Sequence, residues 1–328
     1  MTAPTSPLSD DALVYAFDVF ADGRSKRLAA GDLAGGMDAA AAYRWIHLSF
    51  AAPAAEAWIA GQTDDVVAES LTQQDTRPRC VRHEDGVLLN LRGVNLNPDA
   101  DPEDMVSIRM WIAQRRIISA RLRRLLAVEA LRDAMEKNQS PPSVASFLTE
   151  LSSGLTERMD GVISDLGDKV DDLEEESLEH RAGLRPQLMD MRRKTILLRR
   201  YISPQREALS ALSAIGESIV DADAKDILRE TVDRVTRLVE ELDAVRDRCA
   251  ILSDQLIDQR AEEMNRHMMA LSVVAAIFLP LGFLTGLLGV NVAGIPGADA
   301  PFAFPAFCVL LAVLGAGLYL WFRHRRWI

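Results

Sequence analysis

The feature that most constrains this chain lies at its C-terminus, where a short loop separates two apolar runs. The first extends from Met268 to Val290 without a charged side chain and meets Asn291; the second extends from Phe302 to Phe322. At about 1.5 Å per residue, either run as a helix can cross the roughly 30 Å hydrocarbon layer of a bilayer. The expectation is an integral membrane protein with spans at about 268–291 and 302–322 and a connecting loop at 292–301. About 265 residues come before the first span, enough for a soluble domain with its own core. Nearly all the mass then lies on one side of the membrane.

Charge sets the expected orientation. The tail reads Arg323-His324-Arg325-Arg326, and Arg260 and Arg266 precede the first span. The connecting loop has no Lys or Arg and a single acid, Asp299. Basic residues favour the cytoplasmic side, so both termini are expected there and the loop outside. Trp321 and Trp327 fall where interfacial aromatics are expected. The residues from Met1 to Asp11 are polar, with no basic region before an apolar stretch, unlike a signal peptide.

Lys and Arg number 37 against 48 Asp and Glu, a formal charge of -11. That balance argues against nucleic acid as a partner, because a phosphate-binding surface needs clustered basic residues. Cys80, Cys249 and Cys308 are far apart, with no CxxC and no His-rich spacing, which indicates neither a disulfide framework nor a structural zinc site.

Residues 1–142 read as a mixed α/β domain. Leu13 to Phe17 and Trp45 to Leu48 are strand candidates, and Gly86 to Leu91 reads as the second arm of a hairpin turned at Glu84-Asp85. Met105 to Ile112 and Arg116 to Leu122 form a further pair, Ala54 to Leu71 has helical spacing, and Asn97 to Pro102 is a loop. After Pro141-Pro142 the composition turns helical. Ser143 to Arg200 and Pro204 to Asn291 are helical stretches, with Pro142 and Pro204 read as helix starts. Residues 143–264 form a long-helix stalk region and 265–328 the membrane region. Leu228, Val232, Val235, Val239, Leu242, Val245, Cys249, Leu252 and Leu256 recur at steps of 3 or 4. This stripe fits either a coiled-coil assembly or packing against the chain's own helices. With no strong break before the first span, one helix is expected from about Val220 to Asn291, roughly 100 Å long.

Two spans alone enclose no hydrophilic path, so a transport function requires an oligomer. Along the first span one narrow stripe carries Asn265, Met268, Leu271 or Ser272, Ala275, Leu279, Gly282 and Gly286, rich in small residues and with amides near both ends (Asn265 and Asn291). Ordinary close helix packing would use the same small residues. Asp160, Asp165, Asp168, Asp171, Asp172, Glu174, Glu175, Glu176 and Glu179 crowd one helix, as a cation reservoir or as a solvated face. His47, His83 and His180 have no partner at ligand spacing and read as structural or surface residues. No GxSxG, P-loop, GxGxxG or nucleophile–base pair appears, so an enzyme is not expected and no catalytic residue or catalytic cofactor is named. A membrane-anchored coiled-coil scaffold is the competing class.

The run Pro280-Leu281-Gly282-Phe283-Leu284-Thr285-Gly286-Leu287-Leu288-Gly289-Val290-Asn291, followed by a short loop and a final span, resembles the CorA superfamily of divalent-cation transporters. The superfamily signature is Gly-Met-Asn. Gly289-Val290-Asn291, followed by Gly294-Ile295-Pro296-Gly297, is similar to the ZntB branch, associated with zinc. The resemblance extends to Arg77-Pro78-Arg79, to Gly86 through Leu96 and to Pro102 through Ser107. The tripeptide by itself is a weak signal, since Gly93-Val94-Asn95 repeats it in the soluble part.

The resemblance implies an α+β membrane protein assembled as a homopentameric funnel in the bacterial inner membrane. A cytoplasmic α/β domain would be joined by a long stalk helix to the first of two spans. It implies zinc uptake, with Cd²⁺, Ni²⁺ and Co²⁺ as further ions and with proton coupling, or else a magnesium/cobalt channel of the CorA type. Carried over by position, Gly289, Val290 and Asn291 form the outer selectivity motif, and Asn265, Met268, Leu271, Ala275, Leu279 and Gly282 line the pore. An Asn291 ring offers neutral oxygens to a hydrated divalent ion, and apolar rings at Met268, Leu271 and Leu279 can gate by dewetting. Neither span holds an Asp or Glu, so coupled protons would use Glu262, Glu263 or His267 at the inner mouth. No resident metal site is assigned.

Overall fold

The computed structural model describes residues 8–9, 11–179, 183–290, 297, 300–325 and 327. Strands β1 (Leu13–Phe20), β2 (Ser25–Leu28) and β3 (Ala41–Ser49) lead to helices α1 (Pro53–Gln62) and α2 (Asp65–Thr72). Strands β4 (Arg79–His83), β5 (Gly86–Gly93), β6 (Val106–Ala113) and β7 (Arg116–Arg121) follow. Helices α3 (Leu126–Glu136), α4 (Val144–Leu178), α5 (Leu184–Ser213), α6 (Ala222–Leu288) and α7 (Ala303–His324) complete the chain. The chain splits after Leu252 into two compact units.

One sheet takes all seven strands in the order β2-β1-β3-β7-β6-β5-β4. Strands β3 and β7 are parallel, so the chain between them must cross over. Alternation sorts the side chains. Ala16, Ile46, Leu48, Ile118 and Ala120 join Trp58, Ile59, Val67 and Leu71 of α1 and α2 in one core layer. Tyr15, Phe17 and Trp45 take the opposite face, where Trp45 meets Phe147 of α4 edge-on at 4.9 Å. With both faces covered, β5 is buried along its whole length. The second Gly-Val-Asn belongs here: Gly93 ends β5, and Val94 and Asn95 are buried.

Two polar clusters in this core are paired. Arg44 on β3 grips Asp18 on β1 with two bonds of 2.6 and 2.9 Å. That carboxylate raises the Arg44 guanidinium above its ordinary value. His47 shares the Ser119 hydroxyl with Trp45, each at 2.8 Å. Burial and the charge of Arg121 push its imidazole well below the usual range, so it is neutral and structural, as expected.

The hairpin forms where expected, with Glu84 in the left-handed region at φ 48°. At Gly86 an added Cβ would sit 2.8 Å from the Ile112 carbonyl oxygen and 3.0 Å from the Trp111 ring nitrogen. Gly86→Ala is therefore expected to destabilise the protein by about 1–3 kcal/mol, read as a lower melting temperature of the purified full chain.

Several expected boundaries move. The helical stretch 54–71 is two helices, because the Asp64 carboxylate caps α2 by accepting the Val67 N–H. The stretch 143–200 also divides: α4 ends at Leu178, and α5 begins after Gly183, whose φ is 92°. Pro204 does not start a helix but lies inside α5. Its missing N–H leaves one carbonyl free, a local penalty overridden by the packing of Leu198, Ile202, Ala208 and Leu209 around it. Ser143 caps α4, accepting the Ser146 N–H. Helix α6 ends three residues before the expected limit at Asn291.

Helices α4, α5 and the first part of α6 pack on one another. Leu228, Val235, Leu242, Val245 and Cys249 are buried within a single copy of the chain. Arg248 reaches Glu174 at 2.7 Å and also pairs with Asp171, and Arg199 reaches Asp243 at 2.7 Å. The apolar stripe is thus covered by the chain's own helices and needs no second copy. Two of the acids on α4 are likewise held by Arg248.

Candidate functional site

Helices α6 and α7 are each long and apolar enough to cross a membrane. Within the unit that follows Leu252, α7 covers one side of α6. Val273 is buried, and Ile277, Pro280, Leu281 and Leu284 are half-buried. Gly315 of α7 brings its backbone against Leu281, so that an added Cβ would meet the Leu281 side chain at 3.5 Å. A small residue there lets the helices approach closely.

The candidate stripe lies elsewhere on the helix. Asn265, Met268, Leu271, Ala275, Leu279 and Gly282 are all exposed, Leu279 at 77% and Leu271 at 71%. At about 100° per residue, the stripe and the α7-covered side point in directions about 180° apart. Hydroxyls in this segment are occupied by their own backbone: Ser272 donates to the Met268 carbonyl at 2.8 Å and Thr285 to the Gly282 carbonyl at 3.0 Å.

At the far end, Gly289 closes α6 by donating its N–H to the Thr285 carbonyl at 3.0 Å. A Cβ at 289 would stand 2.8 Å from that same oxygen, so the turn requires glycine. Val290 follows in a bend and is half exposed, at 49%. Asn291, Gly294, Ile295, Pro296 and Asp299 lie outside the described residues, as do His180 and Arg326.

At the other end, Glu262, Glu263 and His267 are exposed. Glu262 pairs with Arg266 at 3.3 Å, one turn away on the same helix. A cavity of about 620 Å³ is lined by Glu262, Asn265, Arg266, Met269 and Val273 together with Trp327. Residues from the start of the first apolar run and the end of the second therefore meet, as two antiparallel helices require.

One cluster was not legible in the sequence. His83 at the end of β4 has its Nε2 2.7 Å from the Asp64 carboxylate, with Glu84 alongside, which corrects the expectation that His83 lacks a partner at ligand spacing. The Val67 N–H and His83 hold the Asp64 carboxyl below the usual carboxylate range. An imidazole with two carboxylates is a donor set that suits zinc, though here Asp64 already caps α2. The separation of 19 residues hid the pairing; the available signal was an Asp preceding a helix.

The family described as CorA-like Mg2+ transporter protein matches residues 40–325. The chain belongs to that family. It is 37% identical over 286 residues to the zinc transport protein ZntB of Pectobacterium carotovorum subsp. carotovorum, covering 87% of this chain and 88% of the relative. It is 39% identical over 291 residues to the divalent cation transporter CmaX of Pseudomonas aeruginosa, covering 87% of each. The solved structure of full-length CmaX superposes with a TM-score of 0.85 at 36% identity, covering 97% of this chain and 99% of that one. The expected fold, an α/β domain followed by a long helix and two C-terminal membrane-type helices, is that of the family.

Proposed function

We propose that this protein carries divalent metal cations across the bacterial inner membrane, with Zn²⁺ as its principal cargo. It acts as a homopentamer in which the α6 stripe faces a central path. Residues 1–142 form the α/β domain, 143–264 the stalk and 265–328 the membrane part, with both termini in the cytoplasm. The observation that carries this reading is the exposed stripe from Asn265 to Gly282, on the side of α6 that α7 leaves bare. The small residues Ala275 and Gly282 on that side leave room for neighbouring copies to approach around a path, with the Asn265 amide at its inner end. The relative ZntB, a zinc transport protein, supports zinc.

In this reading Gly289, Val290 and Asn291 form the outer mouth, where amide oxygens hold an ion that keeps its water shell. Met268, Leu271 and Leu279 form apolar constrictions. Glu262, Glu263 and His267 at the inner end are the candidate proton carriers, since neither apolar helix carries an acid within its run.

Reconstitution in liposomes tests the proposal. Zn²⁺ uptake is expected to accelerate when an inward proton gradient is imposed. Uptake indifferent to the gradient and blocked by excess Mg²⁺ would instead support the second reading, a magnesium/cobalt channel, which the family description favours. Absence of flux for any divalent ion, in protein shown to be oligomeric, would support a scaffold.

A further inference from the structure

Arg109 stands in the middle of β6 and is 1% exposed. Its Nε donates to the Gln73 carbonyl at 2.8 Å and its Nη2 to the Gln74 carbonyl at 2.9 Å. Its Nη1 is buried and has no hydrogen-bond partner. No carboxylate pairs with it among the described residues. Burial and the charge of neighbouring Arg92 push its guanidinium down to about 10, still cationic at neutral pH. A buried charge with an unused donor is retained at a penalty unless something answers it.

Arg109 also lines a cavity of about 420 Å³ with Arg92, Arg123, Arg200 and Tyr201. Arg92 is fully engaged: it donates to the Thr76 and Met105 carbonyls and lies 3.9 Å over the Tyr201 ring. Arg123 and Arg200 are exposed, and neither forms an ion pair among the described residues. Glu103 and Asp104 also reach the cavity, without pairing with any of these arginines. A second cavity of about 300 Å³ shares Arg200 and Tyr201 and adds Arg77 and Arg79. Arg92 also pairs with Asp75 at 3.3 Å, and across this cavity and its neighbour six guanidinium groups face three carboxylates, a surplus of three positive charges in a chain whose overall charge is -11.

We propose that this cavity binds a diphosphate group, carried by a nucleoside diphosphate or present as free pyrophosphate, with Arg109 Nη1 as its buried donor and Arg123 and Arg200 closing over it. Guanidinium forks match phosphate oxygens in geometry and supply several donors at once. The volume is far larger than a single halide fills, and the surplus charge suits a multiply charged anion. The adjoining cavity gives room for the remainder of a nucleotide.

Calorimetry on the purified full-length protein tests this, with pyrophosphate and ADP as probes at constant ionic strength. Saturable binding of one pyrophosphate or ADP per chain is expected. The double variant Arg123→Gln/Arg200→Gln, whose changes lie at exposed positions, should weaken it at least about tenfold. Tighter binding of ADP identifies the nucleotide as the source, and tighter binding of pyrophosphate the free anion. Affinity that collapses when gluconate is replaced by chloride would identify a halide site and overturn the proposal. No saturable heat, or an unchanged affinity in the double variant, would overturn it equally.

Discussion

Asn291→Ala is expected to lower divalent-ion flux through the reconstituted protein by about a hundredfold or more while leaving its oligomeric state unchanged. The proposed outer mouth holds the ion through its water shell, so each amide acts by a hydrogen bond of net worth about 0.5–1.5 kcal/mol. Five such groups in a pentamer sum to several kcal/mol, and each 1.36 kcal/mol is tenfold in rate. Alanine removes the oxygen and keeps the chain continuous. Gly289 already ends α6 through its bond to the Thr285 carbonyl, two residues earlier. Zn²⁺ uptake into liposomes, beside size-exclusion of the same sample, provides the measurement. Unaltered uptake would remove Asn291 from the path. A scaffold would show no flux with either residue.

The membrane part was legible because it depends on a one-dimensional property. Two apolar runs of sufficient length fix two helices, and α6 and α7 end within a few residues of the expected limits. The same holds for β5 to β7, whose apolar runs are bounded by turn residues. Strand β2, with the sequence Ser-Lys-Arg-Leu, escaped notice because only Leu28 is buried and the others follow the register set by β1. Helix α3 was missed although Ala127, Val128, Leu131 and Met135 form its buried side. It follows β7 closely, without an Asn, Asp, Ser or Thr cap, since Leu125 occupies that position. Pro204 misled for the opposite reason: a local rule for helix starts yielded to packing along α5.

The site was legible only as positions on a helix face. Periodicity placed Met268, Leu271, Ala275, Leu279 and Gly282 together, but not which face α7 would cover, because both faces are apolar. The stripe at Leu228 to Leu252 shows the same limit. Its spacing fits a coiled coil, and the chain's own α4 and α5 bury it. The Arg109 cavity was invisible, since its arginines come from β5, β6, the segment after β7 and α5.

A pair of substitutions separates the two faces of α6. Leu279→Asn is expected to raise basal ion flux about tenfold, and Ile277→Asn to lower stability without raising flux per folded molecule. Leu279 is 77% exposed on the bare side. A ring of leucines there holds water out of a narrow path; a ring of amides wets it, and removal of about 1.4 kcal/mol of barrier is a tenfold change. Ile277 is half-buried on the side that α7 covers, two residues away but about 200° around the helix. An amide there is pressed into an apolar helix contact with no acceptor, which costs about 1–3 kcal/mol. Flux and melting temperature, measured on both variants, distinguish the two effects. If Leu279→Asn behaves like Ile277→Asn, the stripe is a packing surface and the path lies elsewhere. If the two diverge as expected, the bare side of α6 is wet in the assembled protein, which no lipid-facing or purely structural role would produce.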